Sequence, residues 1–223
     1  MKIEYLKEVR KKVVKAGVML IHSGMTIGTY GNISCRVDKS CIAITPSGRD
    51  YEQLTPEDIV VTDLEGEKLG GTLLPSSELP LHLEIYKSFP EARAIVHTHS
   101  TYASALAVAH KDLPPVTEEL AQIVGGAVCC TDYTIAGTKE LGLKAVKAME
   151  GGRSAALLAN HGAVCWGRDL KEALTTAYIL ENAARIFCIA QSLGEPVSLN
   201  NKTVETLRDF YLNHYSKRQR GEE

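Results

Sequence analysis

The chain has 223 residues, 44% of them hydrophobic and 23% charged, and a formal net charge of -2. That is ordinary composition for one folded domain and excludes a disordered chain, and the evenly mixed charge offers no broad attraction for nucleic acid or an anionic membrane surface. The opening Met1-Lys2-Ile3-Glu4 lacks the apolar core of a secretory signal, and no window reaches membrane-spanning length, so a cytoplasmic protein is expected.

From Tyr5 to His22, apolar residues at Leu6, Val9, Val13, Ala16 and Leu20 recur near helical spacing among lysines, which predicts an amphipathic first helix. The glycine-rich stretch 23–32 then predicts a loop feeding a strand at Ile33–Val37. Cys41–Thr45, ended by Pro46-Ser47-Gly48, and Ile59–Asp63 read as two further strands. Pro75-Ser76-Ser77-Glu78 has the look of a helix start, and the helix stops at Phe89-Pro90. Ala94–His99 reads as a strand, Tyr102–His110, Val116–Val124 and Leu141–Met149 as helices, Ala155–Leu158 as a buried strand and Lys171–Gln191 as a long amphipathic helix. Beyond that, a flexible polar tail is expected from about residue 212, locally basic at Lys217 to Arg220. The six cysteines form no C-x-x-C pair and read as reduced core thiols. Strands and helices do not alternate one for one, so the expected class is α/β with α/β/α layers: a single domain, 1–223, whose central, mostly antiparallel sheet is covered by helices.

Three constellations carry chemistry. His97 and His99 lie two apart on a strand, so both rings project from one face and could chelate a divalent cation. A third protein ligand would leave a coordination position for water or substrate, and His161, following a buried strand, is the best candidate. Alone, a His-x-His pair is equally compatible with packed imidazoles. His22, His110 and His214 read as structural or exposed, and His82, one helical turn beyond Glu78 and within reach of the same region, reads as a satisfied core histidine. Ser76-Ser77-Glu78 would offer hydroxyls and free N–H groups to an anion at a helix start, although ordinary N-capping explains the same residues. The loops Gly28-Thr29-Tyr30-Gly31-Asn32 and Thr45-Pro46-Ser47-Gly48 fit no nucleotide-binding pattern and could equally cradle an anion or simply turn the chain.

Taken in order, Gly31-Asn32, Ile44-Thr45-Pro46-Ser47-Gly48, Leu74-Pro75-Ser76-Ser77-Glu78, His97-Thr98-His99 and Asn160-His161-Gly162 resemble the motifs of the class II aldolase/adducin-like family, most closely its L-fuculose-1-phosphate aldolase branch. The resemblance spans about Tyr5 to Arg185. It implies a metal-dependent aldolase that cleaves a ketose 1-phosphate, L-fuculose 1-phosphate or a related deoxy-ketose phosphate, to dihydroxyacetone phosphate and an aldehyde. It assigns the metal, Zn2+ with Mn2+ or Co2+ as alternatives, to His97, His99, His161 and Glu78. Glu78 is also the acid/base, and Gly31, Asn32, Ser47, Gly48, Ser76 and Ser77 are the phosphate site. It further implies a C4 homotetramer with active sites between subunits.

One departure stands out. Glu118 occupies the position of the tyrosine that acts on the aldehyde side in fuculose-phosphate enzymes, and Ala136 stands where those enzymes often carry an aromatic residue. A sugar-phosphate epimerase, decarboxylase or dehydratase on the same scaffold, or a metal-free adducin-like binding module, are the alternative readings. The epimerase ranks lower because Gln122 stands where its second acid would be. Tyr211 and Tyr215 are candidates to close over a neighbouring site, and a disordered polar tail is the expectation.

Overall fold

The computed structural model describes residues 3–221. In chain order the elements are α1 (Ile3–His22), β1 (Asn32–Arg36), β2 (Cys41–Ile44), β3 (Val60–Asp63), β4 (Lys68–Gly70), α2 (Leu79–Ser88), β5 (Ala94–Thr98), α3 (Thr101–Val108), α4 (Glu118–Val124), α5 (Lys139–Ala148), β6 (Ala155–Leu158), β7 (Gly162–Gly167), α6 (Leu170–Leu193), α7 (Asn201–Phe210) and α8 (Ser216–Arg220). One seven-stranded sheet in the order β4-β3-β2-β1-β5-β7-β6 forms the middle layer, and every strand pair in it is antiparallel.

The two faces of the sheet carry separate cores because side chains alternate along each strand. Ile33, Cys35, Ala94 and Val96 face one way and pack with Val9, Val13 and Leu20 of α1, Leu106 of α3, Leu120 of α4 and Leu180 of α6. Ile42, Ile44, Ile95 and Val164 face the other way and pack with Leu79, Leu81, Ile85 and Tyr86 of α2 and Leu141 and Ala145 of α5. The expected layered α/β/α domain with an antiparallel sheet is therefore what the chain forms.

Local signals account for the helix ends. Thr117, Thr138 and Asp169 cap α4, α5 and α6 by accepting hydrogen bonds from Leu120, Leu141 and Glu172 N–H. Gly125 closes α4 in the left-handed conformation. Phe89, extended before Pro90, ends α2.

Four named elements, β4, β7, α7 and α8, lie outside the sequence reading. β4 is short and mostly exposed. β7 is buried at all six residues, so it has no polar alternation to mark it as a strand. Where a flexible tail was expected from about 212, the described chain instead continues as helix from α7 through the π-helical turn Tyr211–Tyr215 to α8, with Tyr211 and Ser216 buried. Asn200 caps α7, and longer-range anchors hold the rest: the Arg208 guanidinium donates to the carbonyls of Gln122, Ile123 and Gly152, and the Tyr211 hydroxyl donates to Glu172.

Candidate active site and metal centre

β5 is an interior strand between β1 and β7, and its last turn of pleat carries His97 and, one residue beyond the strand, His99 on the α2 side. His161 arrives from the tight turn between β6 and β7. Asn160 in that turn takes a left-handed φ of 55°, and its backbone N–H donates to the Ala107 carbonyl while His161 N–H donates to Leu158. The three rings meet with centroids 4.7–4.8 Å apart, edge to face, and their ligand nitrogens lie within 4.8 Å of one another.

Glu78 completes the cluster from the fourth side. It occupies the N-cap position of α2 but makes no side-chain cap; its Oε2 lies 3.0 Å from His97 Nε2 and its Oε1 3.2 Å from His161 Nε2. The ordinary first-turn role of a glutamate is thus given up, and the carboxylate is aimed at the imidazoles. Asn32 Nδ2 donates to Oε2 at 2.8 Å, and Glu78 N–H donates to Ser76 Oγ.

The donor set fits a divalent cation. His97 Nδ1 donates to the Ala163 carbonyl at 2.9 Å, which leaves the lone pair of a neutral Nε2 pointing at Glu78 Oε2 and at His99 Nε2, 2.9 Å away. Several lone pairs then converge at contact distance, and only a cation or an added proton on His97 reconciles them. Glu78 Oε1 and His161 Nδ1 are buried without a hydrogen-bond partner, the former facing into the cluster. Three imidazoles with a carboxylate beside them, and a cavity open to substrate, form a donor set that suits zinc and also manganese or cobalt.

The electrostatics follow. Burial pushes the Glu78 carboxyl up, but the pull of His97 and His161 with hydrogen bonds from His97 and Asn32 outweighs it and holds the group well below the usual carboxylate range. Burial, reinforced by the charge on His97, pushes His99 down to about 3 and His161 down to about 4. His97 is drawn up instead, because Glu78 and the Ala163 carbonyl overcome its burial.

A cavity of about 300 Å³ opens over this floor, lined by Gly31, Asn32, Ser47, Gly48, Ser76, Ser77, Glu78, His99 and His161 among others. Every residue expected to form the phosphate site therefore converges in one place, from three loops far apart in sequence. Pro46 and Pro75 bridge the second and third of these loops, and Ser76 N–H donates to the Thr45 carbonyl. Gly31 could not be another residue. Its φ is 71°, and a Cβ there would lie 2.7 Å from the His97 carbonyl oxygen.

Glu118 does not join this cavity; it opens α4 as an exposed residue. Ala136 does line it. Tyr30 was not singled out as a site residue, yet its ring lies 5.4 Å from that of His99 and it lines the cavity with Thr29. His82, expected to be a satisfied core histidine, is fully buried and bonded at both nitrogens.

Residues 11–188 match the family described as Class II Aldolase and Adducin N-terminal domain. The chain belongs to this family. Its class II aldolase relatives include the 5-deoxy-D-ribulose 1-phosphate aldolase of Bacillus thuringiensis serovar kurstaki, 40% identical over 91% of this chain and 94% of that one. Another is the L-fuculose phosphate aldolase of Escherichia coli K12, 32% identical over 84% of this chain and 86% of its own. A solved L-fuculose 1-phosphate aldolase superposes with a TM-score of 0.88 at 39% identity, covering 92% of this chain and 96% of that one. The class II aldolase fold is therefore shared along nearly the full length.

Proposed function

We propose that this class II aldolase is a metal-dependent aldehyde-lyase that cleaves a deoxy-ketose 1-phosphate, L-fuculose 1-phosphate or 5-deoxy-ribulose 1-phosphate, to dihydroxyacetone phosphate and an aldehyde. The observation that carries this reading is the convergence of three imidazoles and Glu78 on the floor of a cavity walled by three loops suited to an anion. The names of the aldolase relatives support the reaction class and the two substrates.

His97, His99 and His161, with Glu78, would hold a zinc, manganese or cobalt ion. When bound, that ion supplies Lewis-acid stabilisation of the negative charge that develops on the carbonyl oxygen. The chain's own residues do the rest. Gly31, Asn32, Ser47, Gly48, Ser76 and Ser77 bind the phosphate through backbone N–H and side-chain groups and so fix the reacting carbon against Glu78. In cleavage the C3–C4 bond breaks, C4 becomes the aldehyde as its hydroxyl proton passes to the base on the aldehyde side and from there to water, and Glu78, which takes up one proton from water once substrate is bound, delivers it to C3 to complete dihydroxyacetone phosphate. Glu118 from a neighbouring copy is the proposed group on the aldehyde side. Ala136, small at the cavity wall, leaves room there.

We further propose that the enzyme is a cytoplasmic homotetramer. Ile27, Tyr30, Leu74, Tyr133 and Ile135 are large apolar side chains left exposed on the loops that carry or adjoin the cavity, which is where a neighbouring subunit would cover them.

The test is to load the purified protein with zinc, offer each ketose 1-phosphate, and follow dihydroxyacetone phosphate through a coupled reductase. Release that a chelator abolishes is expected. No release from any ketose 1-phosphate would overturn the aldolase reading and leave the epimerase or decarboxylase chemistry of the same scaffold to be assayed.

A further inference from the structure

From Glu78, through Asn32 at the cavity wall, a continuous buried line of side chains leads into the interior. Asn32 Nδ2 lies 2.8 Å from Glu78 Oε2; Asn32 Oδ1 lies 2.5 Å from His82 Nε2; His82 Nδ1 lies 2.6 Å from Ser34 Oγ; and Ser34 Oγ lies 2.9 Å from the Tyr86 hydroxyl. All five residues are buried, His82 and Ser34 completely. The pattern has a simple origin in sequence: Asn32 and Ser34 alternate on one face of β1, and Glu78, His82 and Tyr86 recur every four residues along α2.

The acceptor at one end fixes the direction of every bond. An ionised carboxylate only accepts, so the Asn32 amide must turn its nitrogen to Glu78 and its oxygen to His82. His82 must then carry its proton on Nε2. Burial holds this imidazole neutral, so Nδ1 is a lone pair that takes the Ser34 hydroxyl proton, and Ser34 in turn accepts from Tyr86. A single arrangement satisfies all the atoms, and each bond polarises the next. Without the His82 N–H, the Asn32 amide is free to flip and would present oxygen to oxygen against Glu78.

We propose that His82 is a positioning residue: through Asn32 it fixes the orientation of the Glu78 carboxylate against the metal-ligand imidazoles. This rests on the aldolase reading for the role of Glu78, but not for the hydrogen bonds themselves. A histidine kept only for packing would be replaceable by any side chain of similar volume. A positioning histidine is replaceable only by a donor.

Two variants separate these cases. In His82→Gln a side-chain amide can still donate to Asn32, whereas His82→Leu fills much of the space with no donor. For His82→Leu we expect zinc affinity, read by competition with a chromophoric chelator, and kcat at saturating zinc each to fall on the order of tenfold. The KM for the ketose phosphate should stay within about twofold. His82→Gln should recover most of both losses. In the metal-free wild type, nitrogen-resolved NMR of the imidazoles should show His82 as the neutral Nε2–H tautomer.

Equal impairment of the Leu and Gln variants, a folded Leu variant with unchanged zinc affinity and kcat, or an Nδ1–H tautomer would each overturn the proposal. The tautomer is read on the wild type, so it decides even where the Leu variant fails to fold. If the wild type cleaves no ketose phosphate, the aldolase reading falls alone, and tautomer and zinc affinity still judge the role of His82.

Discussion

Single side chains at the site divide by what they offer. His97 has its Nδ1 committed to the Ala163 carbonyl, which turns its Nε2 into the cluster toward Glu78 and His99, where a metal would sit. His97→Ala is expected to lose stoichiometric metal, measured by elemental analysis, and with it activity. Glu78→Gln keeps a side chain of the same shape and should retain metal while turnover falls by about 10²–10⁴-fold, the range for losing a general acid/base. A fully active glutamine variant would remove Glu78 from the chemistry.

His82 adds a stability signature. Burial, reinforced by the charge on His97, pushes its pKa from 6.5 down to about 3, so across that window the unfolded chain binds a proton that the folded chain refuses. Stability therefore falls as pH drops, by up to about 1.4 kcal/mol per pH unit from this one group. Urea unfolding of metal-free protein between these limits should show His82→Gln with a flatter profile than wild type by one proton.

Among these residues, the three clustered histidines were legible from the strand period and the motif order. Tyr30 and the line from Tyr86 to Asn32 were not, because they depend on which face of α2 meets which face of β1. That contact is non-local, and no spacing within either segment encodes it.

Elements set the aim of those side chains. The Gly31 turn passes against β5, and Gly31→Ala would combine a strained left-handed φ with a Cβ 2.7 Å from the His97 carbonyl. A loss of about 1–3 kcal/mol is expected, together with weaker metal binding, because the strand end that must shift carries a ligand. The β6–β7 turn behaves similarly. Asn160 holds its left-handed φ with help from His110, itself at φ 51°, whose Nε2–H donates to Asn160 Oδ1 at 2.6 Å. The sequence showed β6 and His161 but hid β7, since a strand buried on both faces and bounded by glycines has no period to read. The helical C-terminus was hidden for a different reason. It is held by Arg208 and Tyr211 reaching partners as far away in sequence as Gln122 and Glu172, which polar composition alone cannot reveal.

At the scale of the whole molecule, the layered class was legible because short strands bounded by turn residues are interleaved with amphipathic helices without alternating one for one. Arrangement around the cavity mouth bears on assembly. If Glu118 of one copy serves the site of the next, a Glu78→Gln protein and a Glu118→Ala protein, each of low activity alone, should regain activity when their subunits are dissociated and mixed. Sedimentation of the wild type should give four subunits. Metal removal should also be visible as stability: an ion bound only by the folded state at a hundred times its Kd contributes about 2.7 kcal/mol, so chelation should lower the melting temperature.

β7 is the last strand to be synthesised, and it slots between β5 and β6 rather than adding to an edge. A growing chain that has emerged only as far as β6 holds His97 on a strand whose neighbour is still inside the ribosome, and it has no His161 at all. Capture of a metal there would wait for the middle of the sheet to be filled from the C-terminal side. Such an ion would seal a finished fold, and a chain cut short before residue 161 should pull no zinc from a chelator.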